Sequence, residues 1–251
     1  MKVNAKASEK EIMNYLYDND NISTVEMCKK FGVSVVTMRK YLNDLESSGL
    51  IVCSRGRSSA VFNQAIIAQQ KSNVEEKIRI ARAAADMIED GDRVMIVAGT
   101  TNALIPKFLL GKKNIHIVTN SILLLNSCRK NPSVSITLVG GEFMNAAEAL
   151  TGTLTLKDLE LFHVKTAFIG TDGFTETGGV TANHIELAEI CKKIMSRSQQ
   201  SVLLADSSKY GKRGFAFIAD LNSLSTIITD TNLSDADKNK LTRFGLNVIR
   251  V

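Results

Sequence analysis

Val33-Ser34-Val35-Val36-Thr37-Met38-Arg39-Lys40-Tyr41-Leu42-Asn43-Asp44-Leu45-Glu46 is a segment with two unlike faces. Ser34 opens it with a hydroxyl able to accept a bond from an orphan backbone N–H, which starts a helix. Met38, Leu42 and Leu45 recur at helical spacing and form a stripe to bury. Val36, Thr37, Arg39 and Lys40 fall on the other side of the first two turns, and Gly49 follows as a stop. An ordinary core face behind an outer face of one small apolar group, one hydroxyl and two cations suits a helix that enters a DNA groove. Arginine reaches guanine O6/N7 or a phosphate, while valine and the threonine methyl suit a thymine methyl. A solvated surface helix would show the same face, so the flanking residues matter.

Upstream, Ser23 and Glu26 make a capping box that opens a short helix through Cys28 and Phe31, broken at Gly32. A short helix, a glycine turn and a second helix form a helix-turn-helix, the second helix being the one that reads the major groove. Ile12, Tyr15 and Leu16 give a preceding helix its core face. Downstream, Leu50–Cys53 and Ala60–Phe62 read as strands around Ser54-Arg55-Gly56-Arg57-Ser58-Ser59. That is a β-ribbon with Arg55 and Arg57 at its tip, placed for phosphates or a minor groove. Residues 1–62 are expected to form a winged helix-turn-helix.

The pattern Val33-Ser34-x-x-Thr37-Met38-Arg39-Lys40-x-Leu42-x-x-Leu45-Glu46-x-x-Gly49 resembles the signature of the DeoR family of bacterial transcriptional repressors. Two departures stand out. The family usually has an acid where Tyr41 stands, and a Gly-Gly turn in the wing where this chain has Arg55-Gly56-Arg57. The second implies a more basic wing.

A length of 251 residues accommodates one small and one medium domain with real cores. Net charge is +5, from 31 basic and 26 acidic residues, and its placement says more than its size. Six cations lie between Lys29 and Arg57, against Asp44 and Glu46, and a local basic face is what counterion release from DNA requires. Cys28, Cys53, Cys128 and Cys191 form no Cys-x-x-Cys pair and suit small hydrophobes in a reducing compartment. His116, His163 and His184 lack ligand spacing, so neither a metal nor a cofactor is expected. No signal-peptide pattern opens the sequence and no apolar run approaches bilayer length, which points to a cytoplasmic protein without a membrane partner.

Residues 63–73 are glutamine-rich and weakly periodic and serve as the expected linker, for which Ile66, Ile67 and three glutamines allow a partly helical joint. From Val74 to Glu89 a helix is expected to turn Ile78, Ala81, Ala85 and Ile88 inward, ending at Gly91. Strands near 93–97, 115–118, 134–139, 164–169, 201–205, 226–229 and 246–250 then alternate with helical patterns at 102–110, 121–130, 153–162, 184–198 and 234–243. Such alternation predicts, for residues 74–251, a larger α/β domain with a mainly parallel sheet covered on both faces. Ligands of such sheets bind beyond the carboxyl ends of the strands. There lie Gly99-Thr100-Thr101, Thr119-Asn120-Ser121, Gly140-Gly141, Gly170-Thr171-Asp172-Gly173 and Asp206-Ser207-Ser208-Lys209. Each alone is turn chemistry, but five in succession at one edge suggest a site. Gly99 allows close backbone approach, Thr100 and Thr101 offer hydroxyls and N–H groups at a helix start, and Lys209 could neutralise a phosphate. Asn120 and Asp172 suit sugar hydroxyls. Neither a Walker A motif nor a G-x-G-x-x-G fingerprint is present.

These loops also resemble the effector domain of DeoR-family repressors, similar in fold to ribose-5-phosphate isomerase. The resemblance implies that Gly99, Thr100, Thr101, Thr119, Asn120, Asp172, Gly173 and Lys209 line a sugar-phosphate pocket, with Gly140 and Gly141 on the next loop. Glu189 matches a commonly acidic family position, and a surface charge would serve as well. Val97 stands where the family usually carries an acid.

A sugar-phosphate sensor and an isomerase with an accessory DNA-binding domain both remain open. Isomerisation needs a general base and a group that stabilises an enediolate. The isomerase likeness would call for acids directly after the Asp-Gly turn and a Lys-Gly-Gly run. Here Phe174-Thr175-Glu176 follows Asp172-Gly173, and Thr177 precedes Gly178-Gly179. The binding groups are kept without the catalytic ones, which favours the sensor and no enzyme. The expected partners are double-stranded operator DNA and a small phosphorylated sugar that, by the family resemblance, releases it. Repeated half-sites imply a homodimer or homotetramer.

Overall fold

The computed structural model describes residues 9–19, 22–54, 56–60, 64–128 and 131–251. The chain divides into two compact units, Met1–Ala68 and Gln69–Val251.

In the first unit, α1 (Glu9–Asp18), β1 (Ile22–Ser23), α2 (Thr24–Phe31), α3 (Val35–Ser47), β2 (Ile51–Ser54) and β3 (Arg57–Ala60) enclose one small core. Ile12, Leu16, Met27, Met38, Leu42, Leu45 and Ile51 are buried together there, each worth roughly 1.5–3 kcal/mol relative to exposure. Tyr41 packs half-buried against this cluster. Its position therefore belongs to the edge of the core rather than to a charged surface.

The ribbon differs from expectation in two respects: its second strand begins at Arg57 rather than at Ala60, and a third strand joins it. Arg57 stays at the end of the ribbon, directly after the turn. It sits in β3, paired with Ser54 of β2 and with Ser23 of β1, the third strand of the sheet. Hydropathy conceals β3 because its inward residue is Ser58, 1% exposed, whose Oγ lies 3.3 Å from Cys53 Sγ. Gly56 turns the hairpin with a φ of 74°, open to glycine without strain. Arg55 and the expected strand residues Val61 and Phe62 lie outside the described residues.

Within the segment read as a linker, α4 (Gln64–Lys71) is helical, and α5 (Val74–Asp86) follows. The inward stripe of α5 is Lys77, Ile80, Ala81, Ala84 and Ala85, continued by Ile88. Ile78, expected inside, is 37% exposed. At about 100° per residue it stands about 90° from the middle of that stripe. The place expected of an aliphatic residue goes to the stem of Lys77.

The seven expected strands all form: β4 (Arg93–Ile96), β5 (Ile115–Thr119), then α6 (Ile122–Cys128) and β6 (Val134–Leu138). A small hairpin, β7 (Glu142–Met144) and β8 (Ala149–Thr151), leads to α7 (Thr153–Glu160) and β9 (Val164–Ile169). After β10 (Gly173–Thr175) and β11 (Gly179–Ala182) come α8 (Ile185–Ser196), β12 (Ser198–Leu204), β13 (Ala216–Ala219), β14 (Thr226–Thr229), α9 (Asp235–Thr242) and β15 (Asn247–Arg250). One parallel sheet has the order β15-β14-β12-β9-β4-β5-β6. Alternate residues feed two cores: Met95, Ala167 and Leu203 enter one, Val94, Phe168 and Val202 the other. The sheet is thus covered on both faces, as its hydrophobic runs predict.

Residues 102–110, expected as an ordinary helix, hold a 3₁₀ helix over Asn102–Phe108. Pro106 has no N–H to return to Asn102, so an α-helical ladder is broken there. The antiparallel trio β10-β11-β13 was not anticipated. Among the cysteines, Cys128 and Cys191 are buried, which pushes their thiols up to about 11 and about 12, while Cys28 and Cys53 are half-buried.

Candidate functional site

The helix-turn-helix is built by its caps. Ser23 Oγ accepts the Glu26 N–H at 3.2 Å and the Glu26 carboxylate accepts the Ser23 N–H at 2.9 Å, fixing the start of α2. The Ser23 hydroxyl, which donates to the same carboxylate at 2.6 Å, and the Ser23 N–H, with weaker help from Arg57 and Lys29, hold the exposed Glu26 carboxyl below its ordinary range. Gly32, in the left-handed region, ends α2. Ser34 Oγ then accepts the Thr37 N–H at 3.2 Å and lies 2.9 Å from Thr37 Oγ1, so α3 starts where the sequence places it. Val36 is 80% exposed, and Ser34, Thr37, Arg39 and Lys40 are exposed beside it. Glu46, at the other end of α3, accepts the Cys53 N–H at 2.9 Å and ties the helix to the ribbon. The ribbon's turn is tied to α2 by the Thr24 N–H and hydroxyl, both donating to Gly56 O.

In the second unit the carboxyl ends of β4, β5, β6, β9 and β12 bring the five polar loops to one edge of the sheet. Their side chains divide into two groups. Thr119 is buried and its Oγ1 donates to Ile96 O at 2.5 Å. Asn120, also buried, accepts the Ala98 N–H at 2.9 Å and donates to Leu150 O at 3.0 Å. Its amide, wholly buried, joins three strand ends, where a sugar hydroxyl was expected. Gly140 donates its N–H to Asp158 and accepts from Thr155 Oγ1. At Gly141, with φ 147°, a Cβ would come within 2.0 Å of Thr155 Oγ1. At Gly173 a Cβ would come within 2.4 Å of Lys212 O. Close packing thus accounts for Gly141 and Gly173, while a Cβ at Gly140 would meet only Asp158 Oδ2 at 3.2 Å.

A second group remains available. Gly99, Thr100, Asp172 and Lys209 are half-buried, and Thr101 is buried next to them in the chain. Asp172 accepts the Asn183 N–H at 2.7 Å through Oδ2. Lys209 ends a short 3₁₀ turn opened by Asp206, whose Oδ1 accepts the Ser208 N–H. The turn is pinned from below, because the Ser207 N–H and hydroxyl donate to Asp230 at 2.6 and 2.9 Å. Burial pushes the Asp230 carboxyl up, but donors from Ser207 and Asn232 outweigh it and hold the group below its usual range. The helix after Thr101 is a seven-residue 3₁₀ helix without a side-chain cap, so anion binding there would rest on local N–H groups and hydroxyls rather than on a helix dipole. Glu189 is exposed on α8. Val97, where an acid is usual in the family, is 2% exposed and packs in the core as the floor of the edge.

Asn102 was missed by sequence reasoning. Its Nδ2 donates to Val97 O at 2.9 Å, its Oδ1 has no partner, and the amide lies beside Gly99 and Gly170. A polar residue directly after Gly-Thr-Thr, opening a helix whose next four residues are apolar, was the available signal. An open cavity at the opposite edge, around Ser198, Ser201 and Ser225, has no cation in its lining and suits a phosphate poorly. Among the described residues no three His, Cys, Asp or Glu side chains converge to hold a metal, and no helix is long and apolar enough to cross a membrane.

A model of the DeoR-like helix-turn-helix domain matches residues 9–64, and one of the DeoR C terminal sensor domain matches residues 72–231. The chain belongs to the DeoR family. Over 242 residues it is 32% identical to the HTH-type transcriptional repressor GlcR of Bacillus subtilis (strain 168), covering 95% of this chain and 93% of GlcR. It is 28% identical over 212 residues to the glycerol-3-phosphate regulon repressor of Escherichia coli (strain K12), covering 83% and 84% of the two chains. Among solved structures, ribose 5-phosphate isomerase A of Methanocaldococcus jannaschii aligns with 55% of either chain at 18% identity and a TM-score of 0.41, too distant to carry an activity. This DeoR-family chain is a DNA-binding transcriptional regulator and not an enzyme.

Proposed function

We propose that this regulator represses carbohydrate-metabolism genes in the cytoplasm and leaves its operator when a small phosphorylated sugar binds the carboxyl edge of the parallel sheet. Two copies, or an even multiple, would present paired α3 helices to repeated half-sites. On α3, Arg39 and Val36 read bases, Ser34 and Thr37 set the helix start on the backbone, and Lys40 meets a phosphate. Arg57 adds phosphate affinity from the wing, and Arg55, outside the described residues, is assigned the same part. On the sensor, Lys209 is the phosphate cation, with Gly99, Thr100 and Thr101 supplying backbone and hydroxyl donors and Asp172 accepting from a sugar hydroxyl. Thr119, Asn120, Gly140, Gly141 and Gly173 shape the loops, and Glu189 lies at the rim.

The observation that carries this reading is the division at the sheet edge. Most polar side chains there are bonded within the protein, leaving Lys209 and Asp172 as the partly open charges. Names of relatives that refer to glycerol-3-phosphate agree in chemical class. The test is a thermal-shift and calorimetric screen of pentose, hexose and triose phosphates beside the free sugars. A binding phosphate ester should stabilise the chain by about 2.7 kcal/mol at a hundredfold excess over Kd. Free sugars that bind as well as their phosphates would contradict the assignment of Lys209.

A further inference from the structure

Helix α5 starts against the same loop that carries Lys209. Asn73, its N-cap residue, makes no side-chain cap bond to its own helix. Its Nδ2 instead donates to Asp206 Oδ1 at 3.0 Å and to Ser208 Oγ at 3.3 Å. The residue holds a left-handed backbone, φ 49°, which is uncommon outside glycine and is maintained where the surroundings fix it. One turn on, the Lys77 N–H donates to Asn73 O at 3.0 Å. The Lys77 side chain is nearly buried, and its ammonium donates to Gln69 O, to Ser72 O at 2.7 Å and to Ser72 Oγ at 3.3 Å. Gln69 lies in the last turn of α4, so Lys77 caps that helix's closing carbonyls, where a cation is favoured.

The electrostatics join the two ends. Burial lowers the Lys77 pKa, nearby Asp206 opposes that shift, and Lys209 adds to it as a like charge. An anion arriving at Lys209 would offset that repulsion and change how firmly Lys77 holds α4.

We propose that Asn73 and Lys77 are coupling residues, which clamp the 206–209 loop to the closing turn of α4 and pass a change at the loop to the chain segment that leads into the helix-turn-helix. The inference rests on the effector reading above. It gives the signal a material route: loop, Asn73 amide, first turn of α5, Lys77 ammonium, carbonyls of α4. A ligand shifts such an element only through unequal affinity for its two arrangements, and the clamp is where those arrangements would differ. If Lys77 were only a cap and Asn73 only a turn residue, disturbing one end would leave the other unmoved.

Hydrogen exchange on the full chain separates these cases. Asn73→Gly removes the amide while glycine accepts the φ of 49° without strain, and Lys77→Met keeps the stem and removes the charge. Without ligand, Asn73→Gly should speed exchange about fivefold at both 64–72 and 205–210, the effect of one lost net hydrogen bond on local opening. Acceleration confined to 205–210, or none, overturns the clamp. The same proteins are then titrated calorimetrically with inorganic phosphate and with hexose and pentose phosphates. A compound that binds the wild type should alter protection at 64–72, and should still bind both variants with that remote response gone. A full response at 64–72 in both variants overturns the proposal. If no phosphate gives heat with the wild type, the effector reading fails, while the ligand-free comparison still decides the clamp.

Discussion

The outer face of α3, the proposed DNA-reading surface, and the carboxyl edge of the parallel sheet, the proposed effector site, are made in opposite ways. On α3 the groups proposed for DNA stand in solvent, and the helix that carries them is fixed at its two ends, by Ser34 and by Glu46. At the sheet edge most polar side chains are turned into the protein, and the loops they stiffen present backbone and a few partly open groups such as Lys209. A helix supplies its own backbone order, so its side chains are free to read. A cluster of loops has no ladder of its own and must take side chains from the site to replace one.

The largest effect that could break this contrast is at Asn120. Asn120→Ala leaves the Ala98 N–H and Leu150 O without their buried partner and should lower stability by about 3 kcal/mol, read from the denaturant midpoint. A variant of unchanged stability that merely loses ligand would make Asn120 a contact residue and erase the distinction. On the other side, Arg39→Ala should leave the midpoint alone and weaken operator binding by about 1–3 kcal/mol. Lys40→Ala should instead lower the salt slope by about one unit on operator and scrambled DNA alike. Unchanged binding by both would remove α3 from the interface. A smaller effect is expected where the faces are held from behind. Ser23→Ala, which dismantles the capping box of α2, should cost about 1 kcal/mol in thermal or chemical unfolding. A loss well above that would mean the ribbon leans on Ser23 through β1 as well.

Much of this was legible in the sequence where a period or a cap carries the information. The stripe Met38, Leu42, Leu45 and the Ser34 cap fixed α3, and hydrophobic runs fixed the seven strands of the parallel sheet. Reading failed where polar residues do core work. Ser58 hid β3, and Lys77 occupies a buried stripe that pattern assigned to Ile78. The trio β10-β11-β13 escaped notice because Gly179-Val180-Thr181-Ala182 is short and built of small residues, with Thr181 buried by its bond to Gly173 O. At the site the sequence located the loops but not the direction of their side chains. Asn120 and Thr119 look like ligand groups by type, and only three-dimensional neighbours reveal that Ala98, Leu150 and Ile96 already claim them.

The two proposed surfaces would be separate in binding and joined in response. Affinity for the operator, measured with and without a sugar phosphate that binds the wild type, tests this directly when repeated on Lys209→Ala. The variant should bind the operator as the wild type does, show no calorimetric heat with the sugar phosphate, and remain bound when it is added. Loss of operator affinity in the absence of ligand would make Lys209 structural. Normal release by the variant would show that Lys209 does not hold the phosphate and that the sensor site lies elsewhere.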